Sequence, residues 1–381
     1  MAYQKPVIAP PWLGWVDALP SNVAQMNSFR QITNWLFNKG RIMPFPNLTA
    51  FPPVPDNNPV TGNPFAILGM DSFQDQLYNW HTILLTQNAP VYIDPSSISG
   101  FFLPTKFGGG SSEFSPQSLN PFSIEIYANQ AYFANAGNKL AYVNGDHWWF
   151  EAGDVPGTCY FLGQLNAHLI MVNTIEPTAD QLGSTKWPAR VRWSMSGNAN
   201  VWITNPVTTL SEPTAGFTDL TDVEDQLTGF TTMGNVGYAF RENGITAMSP
   251  TGTLPPFRFE NFSIGPKGIG CKIPYTLASF GNFCCFVGTD DLYYFDGANA
   301  PQRIGGNAKN TIFKDVAALD DFAKSLLVGR LWPGVDYLSW WLALPNGTDT
   351  ILWVYHFDDQ SWVREVLATR DLSALGQVVS G

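Results

Sequence analysis

The sequence predicts an all-β protein: a single β-propeller of six blades, with seven also fitting, behind an irregular Pro/Asn-rich N-terminal segment. Three observations point there. The chain of 381 residues is rich in aromatics (14%, with 14 Trp and 27 Phe) and in turn formers (34 Gly, 29 Pro), yet only 13% of it is charged, roughly half the usual quarter. Disordered chains lack aromatic and branched apolar residues, so this composition describes a folded, turn-rich protein. Paired β-rich segments joined by Asn, Asp or Gly turns recur at intervals of roughly fifty residues, the length of a propeller blade. Finally, the segments are apolar on both faces, as expected where blades pack side by side around an axis. A single large β-sandwich would not predict the recurrence.

Residues 1–64 form the N-terminal segment, punctuated by Pro10-Pro11, Pro52-Pro53 and Asn57-Asn58-Pro59. Within it, a helix over 22–37 competes with a strand from Phe29 that turns at Asn38-Lys39-Gly40. The strand leading into a hairpin is favoured, because Phe29, Ile32, Thr33 and Trp35 suit extended backbone. Residues 65–381 form the propeller. Six hairpins are legible in it. Trp80–Thr86 pairs with Val91–Asp94, Ala131–Ala134 with Leu140–Val143, and His168–Val172 with the strand holding Val191 to Trp193. Val236–Phe240 pairs with Ile245–Met248 across Asn243-Gly244, a strong hairpin signal. Phe283–Val287 pairs with Leu292–Phe295 across Asp290-Asp291, and Leu338–Leu344 with Ile351–Tyr355 across Asn346-Gly347. The one later helical pattern, Asp315 to Leu327, has apolar residues at 316, 319, 322 and 326, and is expected to be a turn or two of helix or a linker between blades.

Little in the chain suggests a reactive centre. Cys159, Cys271, Cys284 and Cys285 lack CxxC spacing, so buried free thiols are expected and zinc is not. His81, His147, His168 and His356 lie in four different units and read as partly buried polar groups. The acidic pairs Asp290-Asp291, Asp320-Asp321 and Asp358-Asp359 are explained by turn chemistry. Gly108–Ser112 lacks the Gly-Lys-Ser/Thr of a phosphate loop, and no Gly-x-Ser-x-Gly elbow appears. Trp148-Trp149 and Trp340-Trp341 could stack on sugars, but packing in a two-sided core is the expectation for both pairs. No catalytic, cofactor or metal residues are therefore expected. The net charge of −11 argues against a generic nucleic-acid binder. No secretory signal is visible, and no apolar run approaches the ~20 residues of a membrane span.

The stretch Arg190-Val-Arg-Trp-Ser-Met-Ser-Gly-Asn-Ala-Asn-Val-Trp202 opens a longer block. It continues with Asp219-Leu220, Leu227-Thr-Gly229, Gly234-Asn235, Phe240-Arg-Glu-Asn-Gly-Ile245, Gly268-Ile-Gly270, Pro274 and Tyr294-Phe-Asp-Gly297, and closes with Ile304-Gly305. In order and content this block resembles one found in podovirus-type tail nozzle-like proteins of bacteriophages. Lys39-Gly-Arg-Ile-x-Pro-x-Pro46 resembles an early strand of the same proteins. The resemblance implies a virion β-propeller at the distal tail channel, made in the host cytoplasm and without catalysis. It would assemble as a ring, taken as a hexamer, beside tail adaptor and tail fibre or spike proteins, and DNA would pass without specific binding. A carbohydrate- or receptor-binding propeller is the alternative, and a propeller glycoside hydrolase a third. Arg190 and Arg192 alternate with Val191 and share a strand face, where they are expected to serve as inter-strand or subunit-interface ion-pair partners.

Overall fold

A computed structural model describes residues 67–367, apart from 87–88, 94–100, 103, 109–119, 147, 154, 178–183, 203–213, 223–224, 265–267, 334–337 and 347–348, together with the backbone of four short strands in the first 66 residues. Six sheets follow one another along the chain, each an antiparallel meander of four strands running outward from its first; the second carries a fifth, Thr105–Lys106, which precedes the meander in the chain and pairs parallel with its fourth strand, Trp148–Glu151. Their innermost strands are Ile67–Gln74, Ser123–Tyr127, Thr158–Leu165, Leu227–Met233, Ala278–Phe280 and Val328–Pro333. These six line a common axial cavity. The fold is a six-bladed β-propeller.

All six hairpins read from the sequence are the two middle strands of their blades, for example Ile170 opposite Trp193 and Val172 opposite Val191 in the third. Middle strands are covered on both faces, so they are the most continuously apolar. The turns from first to second strand are two residues long in the second to fifth blades. Ala128-Asn129 and Asn166-Ala167 both take positive φ, and Gly234 and Gly281 do the same in the fourth and fifth blades. This left-handed backbone matches the twist of tight hairpins.

Apolar seams join successive blades. The first and second share Phe73, Ile83, Phe133 and Trp149; the second and third share Tyr127, Tyr132, Leu162 and Met171. Phe161, Val191, Phe230 and Met248 join the third to the fourth, and Phe240, Tyr238, Phe286 and Phe295 the fourth to the fifth. Trp340, Trp353 and Trp362 of the sixth blade pack on Val287 and Leu292 of the fifth. Each fully buried large apolar side chain in such a seam contributes about 1.5–3 kcal/mol. Close approach is enforced by small residues: a Cβ at Gly163 would lie 2.1 Å from Phe230 Cδ1.

The closing seam, from sixth blade to first, is more polar. Arg330 Nη2 donates to both Asp71 oxygens at 3.0 Å, and Leu326 reaches into the cluster of the first two blades. The sheet of the sixth blade is made wholly of C-terminal strands. Ahead of the propeller, Trp35–Asn38 pairs antiparallel with Arg41–Pro44, in register Trp35 to Pro44, and Gly14–Trp15 pairs parallel with Ser28–Phe29. The hairpin at 35–44 agrees with the strand reading; residues 30–34 lie outside the described ones. Backbone of the first and third of these short strands runs within 8 Å of the sixth blade's outer strand, Ser361–Leu367.

Two expectations meet the structure here. The helical segment, expected as a turn or two of helix or a linker between blades, lies in the connection from the fifth blade to the sixth but does not begin at Asp315. It is Lys309–Ala317 followed, after a break, by Asp321–Ser325. Asp320 causes the break: its carboxylate accepts the Ala323 N–H at 2.7 Å, and Asp is a far better N-cap than helix interior residue. Nor are both members of the first tryptophan pair buried. Trp149 is 2% exposed, but Trp148 is 43% exposed, because it opens the outermost antiparallel strand of its blade, where one face meets solvent. Trp340 is fully buried and Trp341 half-buried.

Candidate functional site

The axial cavity measures about 460 Å³ and is walled by all six innermost strands. Its charged lining comes from three consecutive blades around the ring closure: Asp71 of the first, Glu125 of the second and Arg330 of the sixth. Asp71 and Arg330 hold each other. Among the described residues no side chain donates a hydrogen bond to Glu125. Glu125 is half-buried, since it opens onto the cavity while protein surrounds it on every side. Burial, reinforced by the negative charge of Asp71, pushes its carboxyl up to about 8. Near neutral pH the cavity therefore holds an ion pair and a protonated acid, and is close to neutral overall.

A second cavity of about 540 Å³ shares Pro121, Phe161, Thr228 and Tyr275 with the first and is walled by Tyr160, Phe161, Leu227, Ile273, Phe313 and Val316, with Lys186, Lys272 and Lys324 lining it too. Lys186 lies over the Tyr160 ring at 4.6 Å, Lys272 pairs with Glu242, and Lys324 stands 3.5 Å from Asp321. Two polar atoms of this wall are buried without a hydrogen-bond partner: Asn173 Oδ1 and the Tyr275 hydroxyl. Asn173 is held by its amide, which donates to Leu227 O at 2.8 Å.

Arg190 and Arg192 lie elsewhere, on the third strand of the third blade, Ser184–Trp193. Both reach one carboxylate, that of Glu176 on the neighbouring strand. Arg190 Nη1 donates to Oε2 at 2.9 Å, Arg192 Nη2 to the same oxygen at 2.7 Å, and Arg192 Nε to Oε1 at 3.2 Å. Arg190 also grips Asp219 through two parallel bonds of 2.7 and 2.8 Å, the geometry guanidinium favours. The planes stack as well: Arg190 lies 3.9 Å from the Trp187 ring and 4.3 Å from Phe217, which Arg192 approaches from 4.6 Å. Two cations and two carboxylates balance. Both guanidinium groups are buried within their own blade, and the contacts described are inter-strand ones.

The remaining candidates fall apart in space. His81 Nε2 donates to the Asp75 carboxylate at 2.9 Å and its ring stacks on Phe73; His168 Nδ1 meets Ser194 O at 2.6 Å; His356 is buried in the sixth blade; His147 lies outside the described residues. All four cysteines are free and buried. Cys284 and Cys285 face opposite seams. Asp290 and Asp291 serve their turn, Asp291 accepting the N–H groups of Leu292 and Gly305. Of the Gly108–Ser112 stretch only Gly108 is described. Among the described residues no three His, Cys, Asp or Glu side chains are placed to hold a metal ion. No helix there is long and apolar enough to cross a membrane.

Sequence reasoning missed Asp71, Glu125 and Arg330. A signal was present: each is a charged residue set into a short apolar run, as in Ile124-Glu125-Ile126 and Val328-Gly-Arg-Leu331. It was not decisive, because only the ring closure brings the three together.

No family model matches the chain, and no curated protein matches it. Solved structures similar to it include human WBSCR16 (TM-score 0.38, 11% identity, 76% of each chain covered) and apo AztD from Citrobacter koseri (TM-score 0.34, 10% identity, 81% of this chain and 77% of that one). An ancestral GH74 enzyme is similar at a TM-score of 0.23 and 11% identity, over 80% of this chain but only 52% of the enzyme.

Proposed function

We propose that the protein is a structural component of a phage tail, a distal nozzle or hub ring through which DNA is ejected. The observation that carries this reading is the ordered block from Arg190 to Gly306. Its motifs occupy consistent places in the fold: Arg190-Val-Arg-Trp is the end of a middle strand, Phe240 to Ile245 spans a hairpin turn, and Tyr294-Phe-Asp-Gly297 ends another middle strand. The motifs among the described residues fall in the third, fourth and fifth blades.

On this reading the DNA path lies outside any single propeller. An axial cavity of about 460 Å³ has the size of a small-molecule pocket, so a duplex does not thread a single propeller. The bore belongs to a ring of copies around the tail axis, joined by heterologous contacts that close. A net charge of −11 would let DNA slide past such a ring without adhering.

The test is mass spectrometry and cryo-electron microscopy of purified particles from the source. The reading expects the chain in a ring of symmetry-related copies at the tail tip. Absence from purified virions would refute it. A glycan-binding reading has one observation behind it, the exposed Phe107 and Trp148 rings, 6.0 Å apart at the outer edge of the second blade; saturable binding of the isolated chain to a glycan array, lost in Trp148→Ala, would establish it instead.

A further inference from the structure

The innermost strand of each blade pairs on one side only, with the second strand. Its other edge faces the axis, so six rows of unpaired N–H and C=O groups border the axial cavity of about 460 Å³. Charged side chains enter the lining at Asp71, Glu125 and Arg330. Asp71 is engaged: it accepts from Arg330 Nη2 at 3.0 Å and from the Ser72 N–H at 2.9 Å. Arg330 gives this pair one nitrogen, and among the described residues its Nε and Nη1 donate to nothing. Glu125 has no hydrogen-bond partner there at all, and the charge acting on it is the negative one of Asp71.

Two hydroxyl groups join them. Thr231 of the fourth blade is only 7% exposed, lines the cavity, and makes no side-chain hydrogen bond to a described residue. Its oxygen is not one of the fully enclosed unpartnered atoms, so a molecule in the cavity can reach it. Ser279 of the fifth blade lines the same space, and its hydroxyl likewise has no partner among the described residues. Ser279 and the adjoining Phe280 are exposed, so the cavity opens to solvent beside them. Unmatched polar groups of the second, fourth, fifth and sixth blades thus converge on one accessible space. A carboxyl left without a donor costs stability, and groups of this kind persist where a ligand completes them.

Charge selects the ligand. Asp71 and Arg330 cancel, so an ionised Glu125 leaves the cavity one negative charge, the complement of one cation. An anion would have to part Arg330 from Asp71 and lie beside Glu125. A bare metal ion needs several oxygen ligands, and among the described residues no three His, Cys, Asp or Glu side chains are placed to supply them. An ammonium needs only acceptors, which the carboxylate, the hydroxyl groups and the strand-edge carbonyls are. The rest of the lining, guanidinium N–H and hydroxyl, suits a ligand that carries hydroxyl groups, and the volume suits a single sugar ring. We propose that the axial cavity binds an amino sugar with a free ammonium group, the ammonium on Glu125 and the hydroxyl groups on Arg330, Thr231 and Ser279. On binding, the Glu125 carboxyl passes its proton to solvent and the carboxylate pairs with the ammonium. Asp71 and Arg330, the other charged groups of the lining, stay paired. This site is separate from Phe107 and Trp148 at the outer edge of the second blade, and it is independent of the tail assignment, which particle composition tests on its own.

The experiment is calorimetric titration of the full chain near neutral pH with glucosamine and with glucose, a pair in which ammonium replaces one hydroxyl. Glucosamine should bind saturably and about tenfold or more tighter than glucose, the effect of hydrogen bonds to a charged group. Repeated in buffers of different ionisation enthalpy, each glucosamine bound should release about one proton. Glu125→Gln keeps the shape of the side chain and should remove both the preference and the proton release. Thr231→Val should weaken both sugars by about 2- to 10-fold while leaving the proton release in place. Circular dichroism and the melting midpoint check that each variant is folded, and the comparison of the two sugars on the wild-type chain needs no variant. Three results overturn the proposal: no saturable binding of glucosamine at millimolar concentration, equal affinity for glucose, or a preference and proton release that survive Glu125→Gln.

Discussion

Glu176 holds two buried arginines, and replacing it tests whether the third blade rests on that arrangement. In Glu176→Ala, Arg190 keeps its two bonds to Asp219, but Arg192 loses the carboxylate that takes its Nε and Nη2. Arg192 is fully buried and Glu176 nearly so, so solvent cannot take over. Removing one partner of a buried pair costs about 3–5 kcal/mol, a large share of the 5–15 kcal/mol typical of a whole fold. The midpoint of urea unfolding, followed by tryptophan fluorescence, should fall accordingly with little change in slope. The double variant Glu176→Ala with Arg192→Met, which removes the buried guanidinium along with the carboxylate and keeps an apolar side chain beside Phe217, should recover most of the loss. A loss below about 1 kcal/mol in the single variant, the level of a surface ion pair, would refute the reasoning.

Other consequences are open to measurement. The Glu125 carboxyl has its pKa raised from 4.5 to about 8, so the folded state binds a proton that the unfolded state has released; stability should decline as pH rises from about 4.5 to about 8 and level off above that. Glu125→Gln should flatten this dependence and stabilise the protein at pH 8 by a few kcal/mol, on the order of 2–4; pH-dependent urea midpoints that are the same in both proteins would contradict it. Gly163→Ala drives a methyl group into Phe230 across the seam of the third and fourth blades and should cost about 1–3 kcal/mol, read from the same unfolding curves. A double-mutant cycle on Asp71→Ala and Arg330→Ala should give a coupling of about 1 kcal/mol, as both groups are partly exposed. Burial raises the pKa of all four thiols, to about 12 at Cys271 and well above the ordinary value at Cys284 and Cys285; a thiol reagent at pH 8 should label them only as fast as the chain unfolds, and rapid stoichiometric labelling of the native protein would contradict that.

The sequence by itself determined the class of the fold and its repeat. Composition demanded a folded β-protein, and the six middle hairpins announced themselves because strands covered on both faces must be apolar throughout while their turns need Asn, Asp or Gly. The same local chemistry carried the alternation of Arg190 and Arg192 on one strand face, and the helical pattern near residue 316, though not the Asp320 cap that splits it. Tertiary structure alone decided the rest. The inner and outer strands carry mixed residues, since one edge of each faces the axis or solvent, so no single pattern marks them. Asp71, Glu125 and Arg330 are separated by up to 259 positions along the chain, and they become neighbours only because the sixth blade closes against the first. Glu176 becomes the partner of both arginines through the register of two long strands, and the exposed Leu77 and Tyr78 of the first blade's longer turn stand out only when the turns of successive blades can be laid side by side. Local sequence records what each strand must bury; which polar groups then meet depends on closing the ring, a constraint spread over the whole chain.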